Sequence, residues 1–373
     1  MSMGYMGFIK VYRTLGTPFA GTPVPPSDPV LLLATGGSVN LTLEPLYSSA
    51  VWGAGWFNAP EAAHYADGAL RYEGSVSVEW QGNANLWETI RQWAVYNRAY
   101  ARSCDISTDG NRVYQYWATG GTPQAFDNRG AFCSSVSMST SPSSLVTGDV
   151  GIVALTRVEN IAAGKPYIEQ DTGVTTCAEL AETYPLNPSG RNTDPIPFWR
   201  TNAQLLKGFT STYEPFTGGT SIQSDLSVMD WSIERNNNHY VMYTCGGSRE
   251  AKAVLMGAIN ATGNVTLFHP TGVLDPIIGP NPPGTGTPSS PYLYAQDTVF
   301  RVAIQGVQSD GVTPNMYYVE LPAVVVETED FGLKGQSEPT TRAFTMKGLG
   351  GRCTTSGGVL MPPHIMSDPD VVY

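Results

Sequence analysis

Little in this sequence is charged. Lys, Arg, Asp and Glu make up 14% of its 373 residues, against about 25% in soluble domains. An ordinary monomer keeps its solvent face charged. A chain this poor in charge, with 19 Tyr, 12 Phe and 8 Trp, has the composition of one that buries surface against neighbours, because aromatics are enriched and Lys and Glu depleted at interfaces. Basic residues are the scarcer sign. The 21 Lys and Arg against 32 Asp and Glu leave a net charge of −11, which excludes the basic stripe of a general nucleic-acid binder. An acidic surface repels phosphates instead.

Cysteine is sparse and odd in number. Cys104, Cys133, Cys177, Cys245 and Cys353 contain no CxxC pair, which argues against a zinc site or a disulfide framework and suits reduced thiols in a cytoplasm. The four histidines, His64, His239, His269 and His364, fall in no metal-ligand spacing. There is no GxSxG elbow and no Walker loop, and Gly53 and Gly55 do not extend to GxGxxG. Glu327, Glu329 and Asp330, with Asp225 and Asp230 elsewhere, are the carboxylates that glycoside hydrolysis could use, but an acidic trio beside a turn is more often a solvated loop. The expectation is a chain with no catalytic residues, no metal and no cofactor: not an enzyme. No segment approaches the ~20 apolar residues of a membrane span. Residues 1–21 lack the ~7–15-residue apolar run of a secretory signal.

What is present is turn residues, 40 Gly and 28 Pro, and strict alternation. Residues 38–44 (SVNLTLE) set Val39, Leu41 and Leu43 on one side; 74–80 does the same with Val76, Val78 and Trp80. Period 2 is the signature of a half-buried strand. Further strands are expected at 112–117, 133–139, 151–156, 228–234, 253–259, 265–269, 298–304, 316–321 and 323–327. One helix is expected at 86–98, capped by Asn85 with Glu88 three residues on, and a short one at 178–183. A shift of 190 residues superimposes Val39 on Met229, Leu41 on Trp231, Leu43 on Ile233 and Glu44 on Glu234, and carries Val136 to Val326 and 151–156 to 341–346. A repeat of this length signals a duplicated domain. The expected class is all-β, mainly antiparallel: two tandem β-barrel or sandwich domains, the first with a flanking helix. The first spans 1–158 and the second 220–350. An irregular linker, 159–219, joins them; a Pro/Gly-rich insert, 270–291, interrupts the second; and a tail, 351–373, follows.

Residues 227–268 (SVMDWSIERNNNHYVMYTCGGSREAKAVLMGAINATGNVTLF) and 322–348 (PAVVVETEDFGLKGQSEPTTRAFTMKG) resemble the opening and closing hairpins of the phage tail-tube family. Residues 38–44, 72–80 and 133–156 resemble the same fold more loosely. The resemblance covers about two thirds of the chain and is one of pattern. It implies a structural virion protein that polymerises into a tube through which DNA passes without specific binding. Single-domain members form hexameric rings, so a tandem pair would need three copies per ring. It also implies tape-measure, distal-tail and terminator proteins as partners, assembly in the host cytoplasm and residence in the virion. The linker and insert depart from the family pattern and leave open another virion part: distal tail, hub or capsid decoration. A carbohydrate-binding or carbohydrate-hydrolysing β-protein is the alternative of a different class.

Two sets of site residues follow. The segment 52–65 holds Trp52, Trp56, Phe57 and Tyr65; aromatic anchors dominate interface cores, and in tail tubes this hairpin loop meets the neighbouring ring. Glu44, Glu79, Asp230 and Glu234 lie on the polar faces of alternating strands and are expected to line an acidic channel.

Overall fold

Alternating side chains can satisfy both a core and water only as a pleated sheet, and that is what the chain builds. A computed structural model describes residues 6–12, 30–32, 34–44, 46–48, 64–82, 112–118, 124–159, 195–207, 220–221, 227–245, 248–268, 298–307, 314–322, 324–332 and 341–348. These form strands and one short 3-10 turn at Phe198–Arg200. The strand pairings are antiparallel throughout. The protein is all-β. The helices expected at 86–98 and 178–183, the insert 270–291 and the tail 351–373 lie outside the described residues. No helix among the described residues is long and apolar enough to cross a membrane.

The chain runs twice through one course of strands. The first pass is β1 (Met6–Tyr12), β2 (Val30–Leu32), β3 (Ala34–Leu43), an arm of β4 (Leu46–Ser48) and β5 (His64–Ala66), β6 (Leu70–Glu79), the hairpin β7 (Arg112–Ala118) and β8 (Gln124–Arg129), then β9 (Phe132–Thr140) and β10 (Thr147–Ala154). After an added β11 (Thr156–Glu159), the second pass is β12 (Thr201–Lys207), β13 (Thr220–Ser221), β14 (Ser227–Asn236), an arm of β15 (His239–Met242) and β16 (Ala253–Met256), β17 (Asn260–Phe268), β18 (Thr298–Val307), β19 (Pro314–Pro322), β20 (Val324–Gly332) and β21 (Thr341–Gly348). Corresponding strands take corresponding places: β3-β6-β10-β9 matches β14-β17-β21-β20, and β2-β1-β7-β8 matches β13-β12-β18-β19. Residues 159–219, expected to be an irregular linker, therefore contain β12, the opening strand of the second pass. Its apolar Ala203, Leu205 and Leu206 do not alternate, so a search for period 2 passes over it.

β9 pairs with β14, so the two four-strand sets fuse into one eight-stranded sheet, β20-β21-β17-β14-β9-β10-β6-β3. One face of it carries the core. Val76, Val78, Val136, Met138, Val150, Trp231, Ile233, Val265 and Met346 are buried there in one cluster with Val302, Ile304, Tyr317 and Val319 of the smaller sheet. Each such side chain contributes roughly 1.5–3 kcal/mol. Trp80 donates from Nε1 to the Ser137 carbonyl at 3.1 Å. Ile196, on the way into β12, is stitched to the first repeat: its N–H donates to the Trp80 carbonyl at 2.8 Å and its carbonyl accepts from Val146 N–H at 2.7 Å. At the outer edge of the smaller sheet, β19 begins and ends on proline, which only an edge strand tolerates.

The register of the repeat differs from the sequence reading by four residues at β3/β14 and β10/β21, by one at β6/β17 and by three at β9/β20, where Val136 corresponds to Glu329 and not to Val326. The arms align when Leu46–Ser48 matches 240–242 and His64–Ala66 matches 253–255, because Leu46 faces Ala66 as Tyr240 faces Leu255. Two close approaches fix this alignment. A Cβ at Gly68 would meet the Glu44 carbonyl at 1.8 Å, and one at Gly257 would meet the Asn238 carbonyl at 2.5 Å. The bulges agree as well: Ser134 is the extra residue opposite β10 and Glu327 the extra residue opposite β21. Val39 thus corresponds to Ile233, not Met229, and Glu44 to Asn238, not Glu234. Slipping an amphipathic strand by an even number of residues leaves its pattern unchanged, which is why the sequence could not register it.

Candidate self-assembly edges and polar face

The joint between β9 and β14 shows how this sheet extends from one repeat to the next. Trp231 faces Thr140, Ile233 faces Met138 and Asn236 faces Ser135. Beyond the ladder, Asn237 N–H donates to the Ser134 carbonyl at 2.8 Å, and Asn237 Nδ2 donates to the Cys133 carbonyl at 2.8 Å. Arg235, fully buried, donates from Nε to Asn237 Oδ1 at 2.9 Å. The Cys133 thiol donates to the Ser135 carbonyl; burial pushes its pKa up to about 12, so it behaves as a small apolar side chain.

The outermost strands of the sheet are β3 and β20. They occupy the same places in their repeats as β14 and β9, the strands that meet inside the chain. On β3, Leu41 and Leu43 lie on the core side with Val39, yet stay 46% and 44% exposed. Their counterparts at the internal joint, Arg235 and Asn237, are buried. On β20, Glu327, Thr328 and Asp330 are exposed. Among the described residues the β3 edge is open apart from Val39, whose carbonyl accepts from Arg157 Nη2; an edge with uncovered apolar side chains is a template for pairing with another chain.

The face opposite the core is polar across the middle of the sheet and turns apolar at the end of β9 and β10, where Phe132 and Val153 lie against the second arm. Hydroxyls of Ser75, Ser77, Ser135, Ser137, Ser139 and Ser232 run across its middle, with Ser77 Oγ donating to Asp149 at 2.6 Å and Asn264 Nδ2 donating to Ser232 Oγ at 3.0 Å. By strand parity this face carries Glu44, Glu79, Asp230 and Glu234. Glu44 is not a free charge: it pairs with Arg71 at 3.0 Å, and Arg71 also reaches Glu73 at 3.2 Å. Sequence reasoning missed Arg71, Glu73 and Asp149, which lie on strands whose polar positions it had not assembled onto one face. Trp52, Trp56 and Phe57 lie outside the described residues. Tyr65 is placed only as the strand partner of Tyr47 in the first arm. Among the described residues no group of three or more His, Cys, Asp or Glu could hold a metal ion.

No protein-family model and no curated protein matches the sequence. Among solved structures, the SPP1 tail tube, determined by solid-state NMR and cryo-EM, aligns with 48% of this chain and 87% of its own, at 9% identity and a TM-score of 0.29. A superposition this loose decides neither fold nor function.

Proposed function

We propose that this chain is a structural virion protein of the tail-tube kind, whose copies close into rings by pairing β3 of one copy with β20 of the next. The observation that carries this reading is the internal joint: β3 and β20, the outermost strands among the described residues, are the repeat counterparts of two strands that already pair within the chain. A contact that joins unlike surfaces in the same sense at every step forms a closed ring or an open helix. Six repeats per ring, as the tail-tube resemblance implies, need three chains and about 24 strands. Sixteen- to eighteen-stranded barrels already leave an aqueous channel. The core face must turn outward to the smaller sheets, which leaves the hydroxyl-rich, acidic face to line the bore, where it repels phosphates and lets DNA slide.

Carrying the internal register to the outer edges sets Val39 opposite Phe331 and Asn40 opposite Asp330. Within one chain these residues lie seven strand spacings apart, ~34 Å, so cysteines placed there can bridge only between copies. The variant Asn40→Cys/Asp330→Cys, oxidised, is expected to give disulfide-linked species that stop at the trimer on a non-reducing gel, with rings in negative stain. A chain that stays monomeric at high concentration with no interchain bridge would overturn the reading.

A further inference from the structure

The second arm is more than a decoration of its own repeat. Val241, Val254 and Tyr243 pack with Phe132, Val153 and Leu155 at the end of β9 and β10. Tyr243 Oη donates to the Leu70 carbonyl at 2.9 Å. Arg249 donates from Nε to the Gly68 carbonyl at 3.0 Å and pairs with Asp67 at 3.1 Å, while its own carbonyl accepts from Leu70 N–H at 3.0 Å. In the described residues next to β10, Thr156 Oγ1 donates to Glu250 at 2.6 Å. The arm of one repeat thus crosses the adjoining repeat and its tip seats on the base of that repeat's arm.

Among the described residues the first arm has no such repeat beside it in its own chain, because β3, from which it springs, is the sheet edge. We infer that the first arm lies across the β20–β21 end of a second copy and reaches the base of that copy's second arm. The partner is fixed by continuity: the strand joint and the arm contact occur together inside the chain, so a copy that pairs its β20 with β3 presents the surface the first arm lacks. By the repeat alignment Tyr47 holds the place of Val241, and the positions of Phe132, Val153 and Leu70 are held in the second copy by Val325, Lys347 and Ile259. The inference rests on the ring reading and adds to it a second grip, made within a ring.

Photo-crosslinking separates the two claims. p-Benzoylphenylalanine replaces Tyr47, with Leu46 as a second site, and isotopically light and heavy full-length chains are mixed before irradiation. The expected result is mixed-isotope crosslinks to peptides holding Val325, Lys347 or Ile259. The same probe at Val241 is expected to crosslink within the chain, to Phe132 or Val153, which certifies the fold. Rings that form while Tyr47 and Leu46 crosslink elsewhere, or only within their own chain, overturn the arm contact and leave ring closure standing. Intact intrachain crosslinks from Val241 without any rings overturn both.

Discussion

At the scale of single residues, the polar groups that chain folding has buried set the sensitivities. His239, on the second arm, has neither ring nitrogen hydrogen-bonded, and its ring lies 5.9 Å from that of Phe132. Burial holds its pKa down at about 4, below the ordinary value of about 6.5. The unfolded chain therefore takes up a proton that the folded chain refuses. The stability this group allows is fully present above about pH 6.5 and falls as the pH drops toward 4, by up to about 3 kcal/mol. Urea titrations at pH 7.5 and 4.5 should show a smaller loss in His239→Leu than in the parent. Asn237 is the second such residue, since it accepts from buried Arg235 and donates to the Cys133 carbonyl. Asn237→Leu is expected to cost about 1–3 kcal/mol by denaturant unfolding, because it removes a hydrogen bond from the buried Arg235 guanidinium and a donor from the Cys133 carbonyl.

At the scale of elements, strands marked by alternation or by a continuous apolar run were legible, and short or irregular ones were not. The alternation at 38–44, 74–80, 133–139 and 228–234 lies within β3, β6, β9 and β14. Short or irregular strands, β2, β12, β13 and β15 among them, carried too few alternating positions to be read. The edge strand makes a sharp test. Leu41→Lys changes a half-exposed side chain, so monomer stability should move by no more than about 0.5 kcal/mol, while assembly by sedimentation velocity should be lost. Ile233→Lys, at the buried place corresponding to Val39, should unfold the chain at ambient temperature, since it buries an unpaired charge. Equal effects of the two on folding would contradict the view of β3 as an interface.

At the scale of the whole molecule, the open polar face sets what the assembly can hold. Asp230→Lys/Glu234→Lys would place about six lysines in each three-chain ring. Rings should persist, because neither residue packs in the core. Variant tubes should retain duplex DNA at 50 mM salt and release it by 200 mM, with affinity falling on the order of a thousandfold over that range; parent tubes should retain none at either salt. Variant tubes that hold no DNA would mean that this face does not line the bore.

The sequence by itself determined the class of the fold, the duplication, and which side of each amphipathic strand is wet. These are properties of composition and of period 2, which a strand expresses wherever it is placed. Tertiary structure decided what that pattern leaves degenerate. It set β14 in a register four residues from the one inferred for β3. It drew β12 out of an apparent linker, and it fused both repeats into one sheet through β9 and β14. It left Leu41 and Leu43 uncovered at an edge while their counterparts, Arg235 and Asn237, went into the interior. An even slip of an alternating strand costs nothing in pattern. Only close approaches such as those at Gly68 and Gly257, shared bulges, and the partners found across the sheet distinguish one register from the next, and those exist only once the chain has folded.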